Sequence, residues 1–366
     1  QGIDMVFVAR PGKEKPVEYT FVVHPGADAG LIKLHYIGAN ETKLSDNKIN
    51  VDIAHGSFTE SIPASWIKET NKKLNITYRA SDKDIYCFEI PSYPPTRTLI
   101  IDPNPTLDWG TYYGGSAADE GYGISCDADG NVFVTGYSVS TTGIATAGSH
   151  QEIFAGSGDV FIVNFNSNGV RQWGTYYGGS GYDCGKGITF DINGNIFVTG
   201  GTESSTGIAT SGAHQESYAG VDVDAFVVKF NSDGVRQWGT YYGGSEYEYG
   251  WGISCDGNGN VFVTGATYSV TGIATIGAHQ ESYAGGVVDA FVVKFNSDGV
   301  RQWGTYYGGS EYDHGYGISC DTVGNIFVTG YTQSTTGIAT IGAHQETNAG
   351  GVYYEDAFIV KFNSNG

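Results

Sequence analysis

RQWGTYYGGS, residues 171–180, recurs without change at 236–245 and 301–310, and DWGTYYGGS stands at 108–116. The tryptophans of these stretches, Trp109, Trp173, Trp238 and Trp303, follow one another at steps of 64, 65 and 65 residues. Longer copying surrounds them: DAFVVKFNSDGVRQWGTYYGGSEY occupies 224–247 and again 289–312. A fixed period of this kind marks a repeat architecture, in which each copy is one supersecondary unit that buries its apolar faces against its neighbours.

Each unit carries four strand signals. In the second they are WGTYYGG (173–179), KGITFD (186–191), NIFVTG (195–200) and DAFVVKF (224–230). DINGN separates the middle pair, with DADGN, DGNGN and DTVGN in the other units, and NSNG or NSDG leads back into the next tryptophan strand. The glycine of each turn supplies the positive φ that a short hairpin loop needs. A long loop, typified by STGIATSGAHQESYAGVDV, joins the third signal to the fourth. In FVVKF, Phe226, Val228 and Phe230 face one way and Val227 with the Lys229 stem the other. Apolar residues on both faces mean a sheet covered on both sides. Four-stranded sheets of about 65 residues stacked in series describe the blades of a β-propeller. A parallel β-helix is the competing reading, but its turns run to about 20–25 residues and lack antiparallel hairpin signals.

The run YYGGS…YGYGISCD..GNVFVTGYS…GIAT.G.HQE..AG…DAFVVKFN.DG resembles the SBBP repeat, a β-propeller repeat of bacterial secreted proteins, over residues 108–366. GIDMVF, VEYTFVVHPGADAGLIKLHYIGA and LIIDP resemble the all-β domain that commonly precedes such repeats. The resemblance implies secretion and a place in large surface proteins, and it assigns no chemical activity to the repeat. Where the family more often has an aromatic, this chain has His150, His214, His279 and His344.

The expected fold is therefore all-β: a small sandwich-like domain over 1–104, then propeller repeats over 105–366 in units 108–172, 173–237, 238–302 and 303–366. Seven strand signals mark the first domain: IDMVFVAR, EYTFVVH, IKLHYIG, INVDIA, LNITYRA, IYCFEI and TLIID, with PSYPPT (91–96) as a candidate linker. ASWIKETNKKL reads as strand plus turn rather than helix. NSNG at 363–366 is a turn that should introduce another tryptophan strand, so further domains beyond residue 366 are expected. Two arrangements of the blades stay open: a closed four-bladed ring if strand 108–114 pairs with 357–363, or an open arc of a larger ring.

Composition narrows the partners. The net charge of −20 repels phosphate backbones and anionic lipid, which argues against nucleic acid and membrane surface. No apolar run approaches the ~20 residues that span a bilayer. Among five cysteines, Cys126, Cys255 and Cys320 share one place in three repeats (ISCD) and read as small buried hydrophobes.

Residues common to every copy build blades, so positions that differ between copies carry the functional signal. The richest variation follows GGS: AADEGYG, GYDCGKG, EYEYGWG and EYDHGYG. One place is always acidic (Asp119, Asp183, Glu248, Asp313). The next holds Glu120, Cys184, Tyr249 or His314, and two further on stand Tyr122, Lys186, Trp251 and Tyr316. Carboxylates accept hydroxyl hydrogen bonds and aromatic rings stack on sugar C–H faces, so these residues form the candidate ligand-binding set; the competing reading has the acids accepting backbone N–H bonds and the rings wedging between blades. Asp127, Asp129 and Asn131 could begin a calcium loop, but no bidentate acid follows, and Val323 stands where Asp129 offers an oxygen. The HQE triplets lie on separate blades and read as loop anchors. No metal or cofactor is expected. No GxSxG elbow or Cys/His arrangement supports nucleophilic catalysis, so a non-enzymatic module is expected. The leading expectation is a binding module at a bacterial cell surface, extracellular, recognising a glycan or partner protein. A structural spacer is the alternative, and a polysaccharide hydrolase working with two carboxylates comes last.

Overall fold

Turn chemistry sets the strand lengths in the repeats. Gly130, Gly194, Gly259 and Gly324 of the D-x-x-G-N turns all have φ between 75° and 83°. The turn's aspartate locks it: Asp191 accepts the Asn195 backbone N–H at 2.9 Å and the Asn195 side-chain amide at 2.8 Å. Asp127, Asp256 and Asp321 bind Asn131, Asn260 and Asn325 in the same way. The structure, a computed structural model, describes residues 2–9, 17–54, 56–106, 109–321, 323–350 and 353–366. No α-helix occurs among them; one 3-10 turn lies at Ala29–Leu31. The chain divides into two compact units, Gln1–Thr111 with Ala128–Gly130, and Tyr112–Asp127 with Asn131–Gly366.

The first unit has ten strands: β1 (Ile3–Ala9), β2 (Val17–Val23), β3 (Lys33–His35), β4 (Glu41–Ser45), β5 (Lys48–Ile53), β6 (Gly56–Ile67), β7 (Lys72–Lys73), β8 (Thr77–Asp82), β9 (Ile85–Glu89) and β10 (Leu99–Thr106). One sheet runs β1-β2-β10-β6-β5-β4 with β7 beside β6, and a second runs β3-β9-β8. Phe21, Val23, Ile49, Val51, Leu99 and Ile101 of the first sheet bury against Tyr78, Tyr86 and Phe88 of the second, which makes a sandwich. Inside it, the buried Glu60 carboxylate accepts hydroxyls from Tyr19, Tyr36 and Tyr78. The residues PSYPPT join β9 to β10 within this unit and are not a link between domains. ASWIKETNKKL is the end of β6, a turn and β7, as its sequence suggests.

The second unit stacks four antiparallel sheets. They are β11 (Asp119–Cys126), β12 (Val132–Ser138), β13 (Asp159–Phe165) and β14 (Arg171–Tyr177); β15 (Asp183–Phe190), β16 (Ile196–Thr202), β17 (Asp224–Phe230) and β18 (Arg236–Tyr242); β19 (Glu248–Cys255), β20 (Val261–Thr267), β21 (Asp289–Phe295) and β22 (Arg301–Tyr307); and β23 (Asp313–Cys320), β24 (Ile326–Thr332) and β25 (Asp356–Phe362). We call these blades 1 to 4. Each is a meander; in blades 1 to 3 the fourth strand, RQWGTYY, comes from the following sequence unit, and blade 4 has three strands among the described residues. This is the architecture of β-propeller repeats, with β11, β15, β19 and β23 as neighbouring inner strands.

The core lies between blades. Phe197, Ala225, Val227 and Trp238 of blade 2 pack on Ile253, Val261, Val263, Phe291, Val293 and Phe295 of blade 3. Polar bonds cross the same seam: Trp238 Nε1 and Lys229 Nζ both donate to the Ser297 carbonyl at 3.0 Å, and the Tyr242 hydroxyl donates to the Ile273 carbonyl at 2.9 Å. Histidines of the HQE triplets wedge into these seams as rings; His214 packs on Tyr242 and Phe295, and burial holds its imidazole down at about 4. Gln215 donates its backbone N–H to the Thr240 hydroxyl and accepts the Gly243 N–H on its side chain, and Glu216 accepts the Gly212 N–H.

One expectation needs correction here, and one open choice is narrowed. The ISCD cysteines are partly exposed rather than buried, and two act as donors between inner strands: Cys255 Sγ reaches the Phe190 carbonyl at 2.7 Å and Cys320 Sγ the Cys255 carbonyl at 2.9 Å. Of the two blade arrangements left open, the closed ring in which strand 108–114 pairs with 357–363 is not formed among the described residues. Among the described residues β25 pairs with β24 alone, and Phe327 and Ile359 on the far side of blade 4 are exposed.

Glycine in the second strand of a blade is dictated by close approach. A methyl on Gly265 would fall on the Tyr249 carbonyl oxygen, with the Phe291 ring at 2.7 Å. Gly265→Ala is expected to cost about 1–3 kcal/mol or more, since this backbone is held on both sides. Thermal melts check it; an unchanged melting temperature would show that the seam is loose.

Candidate functional site

Inner strands carry the variable residues, and a backbone irregularity aims them. Every inner strand contains G-x-G, and the pairing with the second strand slips within it: Gly121/Gly123, Gly185/Gly187, Gly250/Gly252 and Gly315/Gly317. The extra residue of each β-bulge has no partner in the ladder and is turned out of the regular alternation. Those four residues are Tyr122, Lys186, Trp251 and Tyr316.

They form one continuous strip across the four blades. Lys186 Nζ sits 3.4 Å from the Tyr122 ring centre and 5.4 Å from that of Trp251, a cation between two aromatic faces. Trp251 meets Tyr316 edge-on at 5.5 Å. Tyr122 and Tyr316 are 46% and 45% exposed, so the ends of the strip are open. The flanking position adds to it. Glu120 accepts the Tyr122 hydroxyl, and that bond is the first cause of a phenol pushed up to about 12. Tyr249 stacks on Trp251 at 5.1 Å with 22° between planes, and His314 stacks on Tyr331 at 4.8 Å. Cys184, at the same place in blade 2, is fully buried, and burial pushes its thiol up. Two polar atoms here lack hydrogen-bond partners, Trp251 Nε1 and His314 Nδ1. Burial also lowers the His314 imidazole.

The four acids of the candidate set sit elsewhere. Asp183 is fully buried; it accepts the Gly179 N–H at 2.8 Å and the hydroxyls of Ser204 and Thr202. Glu248 accepts the Gly244 N–H and Thr267, and Asp313 accepts the Gly309 N–H and Ser334. Asp119 does the same with Gly115, Ser138 and Ser140. These carboxylates clasp the G-G-S turn to the chain leaving the second strand, as the competing reading of the sequence has it, and they turn away from the strip. The strip thus unites Tyr122, Lys186, Trp251 and Tyr316 with Glu120, Tyr249 and His314. The sequence reading missed Tyr331 and the role of the bulge, which the constant glycines of GYG, GKG, GWG and GYG announce. It also missed the recurrent S-x-S or T-x-S at 138–140, 202–204, 267–269 and 332–334 that fixes the acids inward.

Fold and strip define the second unit as a β-propeller repeat protein with an aromatic inner surface. Comparison with known families agrees. Three stretches, 108–143, 172–205 and 302–337, match the family described as "Beta-propeller repeat" (SBBP), and residues 1–104 match a domain of unknown function, DUF7948. Among individual proteins, the chain is similar to an uncharacterized WD repeat-containing protein, L264, of Acanthamoeba polyphaga mimivirus. The two are 23% identical over 273 residues, covering 64% of this chain and 20% of that relative. The chain therefore spans about a fifth of the relative it matches.

Buried acids give the propeller a pH dependence. Burial raises Glu248 and Asp289 to about 7 and Asp159 and Asp224 to about 6. Asp159 Oδ1 and Asp289 Oδ1 have no hydrogen-bond partner, consistent with the neutral acid. A raised acid binds its proton more tightly in the folded chain. The stability it contributes is full below the unfolded value and is lost as pH climbs through the folded one. Melting temperature is expected to fall between about pH 5 and about pH 7.5. Asp289→Asn, which mimics the protonated acid, should flatten that fall; a rising wild-type profile would contradict the assignment.

Proposed function

We propose that the propeller is a non-catalytic binding module that holds a glycan across the strip Tyr122–Lys186–Trp251–Tyr316. The observation that carries this reading is the bulge: constant glycines hold the frame in every blade, while the residue it turns outward changes from copy to copy. A residue kept only to build blades would repeat like Trp238 and Tyr242 do. Aromatic faces at spacings of 5–6 Å suit the apolar faces of sugar rings. Lys186 and Glu120 supply a donor and an acceptor for hydroxyls beside those rings. A site of this kind works by stacking and hydrogen bonding and needs neither metal nor nucleophile. The resemblance to secreted propeller proteins supports a place outside a bacterial cell, at its surface, where glycans are the common ligands.

The test is binding of the intact chain to a broad glycan array, followed by calorimetry on any ligand found. Trp251→Ala is expected to weaken binding about tenfold or more, the equivalent of about 1.4 kcal/mol. Its melting temperature should stay near wild type because the ring is only half-buried. Binding unchanged in both Trp251→Ala and Tyr316→Ala, or no binding to any glycan, would overturn the reading and leave a structural spacer.

A further inference from the structure

Lysine and arginine are scarce in the repeats: residues 112–366 hold seven of them against 25 aspartates and glutamates. Six of the seven recur at a fixed place in the repeat and serve the scaffold. Arg171, Arg236 and Arg301 each donate to two successive carbonyls of the loop that follows a second strand. Lys229 and Lys294 donate across a seam to the Ser297 and Ser364 carbonyls, both at 3.0 Å, and Lys361 holds the same place on β25. Lys186 is the seventh, and it has no counterpart. Tyr122, Trp251 and Tyr316 fill its place in the other blades.

Lys186 is a half-buried cation with no opposite charge bound to it. Among the described residues it makes no ion pair; its Nζ lies 3.4 Å from the Tyr122 ring centre and 5.4 Å from that of Trp251. Its charge also acts on the Cys184 thiol, which burial pushes up and so keeps neutral. The carboxylate of the strip, Glu120, is engaged by the Tyr122 hydroxyl instead. Taking an ammonium partly out of water without a counter-charge costs free energy, and the aromatic residue of the other three blades packs there at no such cost. Blade 2 lies between two complete four-stranded blades, so both neighbours of Lys186 are in place.

We propose, resting on the glycan reading above, that the glycan is acidic: a uronic acid whose carboxylate sits on Lys186. A neutral sugar would stack as well on a fourth aromatic residue, whereas a lone ammonium is matched by an anion. A carboxylate attached to the sugar ring itself reaches an ammonium 5.4 Å from the aromatic ring beside which that sugar lies. Glu120 sets the direction. Its charge lies on the Tyr122 side of Lys186 and repels an anion there, so the carboxylate enters from the Trp251 side and Glu120 takes hydroxyls. The net charge of −20 does not oppose one such contact. Salt at physiological strength confines the field of distant exposed acids to about 8 Å, so an isolated carboxylate that touches Lys186 gains, while a densely charged chain is repelled.

The test compares, by calorimetry on the intact chain, oligosaccharides that alternate a gluco-, galacto- or mannuronate with a neutral sugar and the same oligosaccharides after carboxyl reduction. Reduction removes the charge and leaves the rings. At least one acidic member is expected to bind about tenfold or more tightly than its reduced form. That advantage should shrink as salt is added. Lys186→Gln is expected to bring the ratio of the two affinities close to one. Should Lys186→Gln melt early, the wild-type comparison and its salt dependence decide alone. Reduced forms that bind as tightly as the acidic ones, or a ratio that Lys186→Gln leaves in place, overturn the proposal and leave a neutral-glycan module standing. Failure of every acidic member to bind overturns it too; only if neutral glycans also fail does the glycan reading itself fall.

Discussion

One contact recurs at every blade junction and holds the others in place: the second tyrosine of W-G-T-Y-Y, set between two phenylalanines with its hydroxyl on a carbonyl of the neighbouring blade. Tyr177 lies on Phe226 and Phe230 and donates to Ile208; Tyr242 lies on Phe291 and Phe295 and donates to Ile273; Tyr307 lies on Phe358 and Phe362 and donates to Ile338. Ring packing of this kind adds about 0.5–1.5 kcal/mol beyond the area buried. The hydroxyl can be buried only because its acceptor is fixed by the loop that carries it. Spacing and tilt between blades follow from this contact. So does the alignment of the inner strands that brings four bulge residues into one strip.

Much of this is legible in the residues. The 65-residue step, the D-x-x-G-N turns and the two-sided apolar pattern of FVVKF suffice for the blades, because each turn needs a particular glycine and each strand face needs a cover. The direction of the acids was harder to read. Asp183 could face either side of its strand, and what turns it inward is a pair of hydroxyls, Thr202 and Ser204, about twenty residues further along the chain. The cysteines misled for a related reason. A thiol in an apolar context reads as a small hydrophobe, yet Cys255 and Cys320 find carbonyls that only the stacking of inner strands supplies. In the first unit, β6 was read only at its end, since Ser, Glu and Pro residues in GSFTESIPASWI break the alternation that marks a strand.

Constant and variable letters therefore separate by mechanism. Constant residues satisfy one another: tryptophan and tyrosine donate to backbone carbonyls across each seam, lysine does so across two of the three, and buried acids hold the turns. Variable residues partner mainly one another, Tyr122 with Glu120 and Lys186 with the Tyr122 and Trp251 rings. A chain with net charge −20 that keeps a lysine between two rings at the centre of its inner surface has placed a donor where hydroxyl-rich ligands could stack and bond.

The most direct test of that separation replaces Tyr122, Lys186, Trp251 and Tyr316 together by serine and measures melting temperature and glycan binding on the same sample. The account predicts a folded propeller that melts within a few degrees of wild type and binds no glycan. Loss of the fold would make the strip part of the scaffold, and retained binding would place the ligand elsewhere; either result would contradict the account.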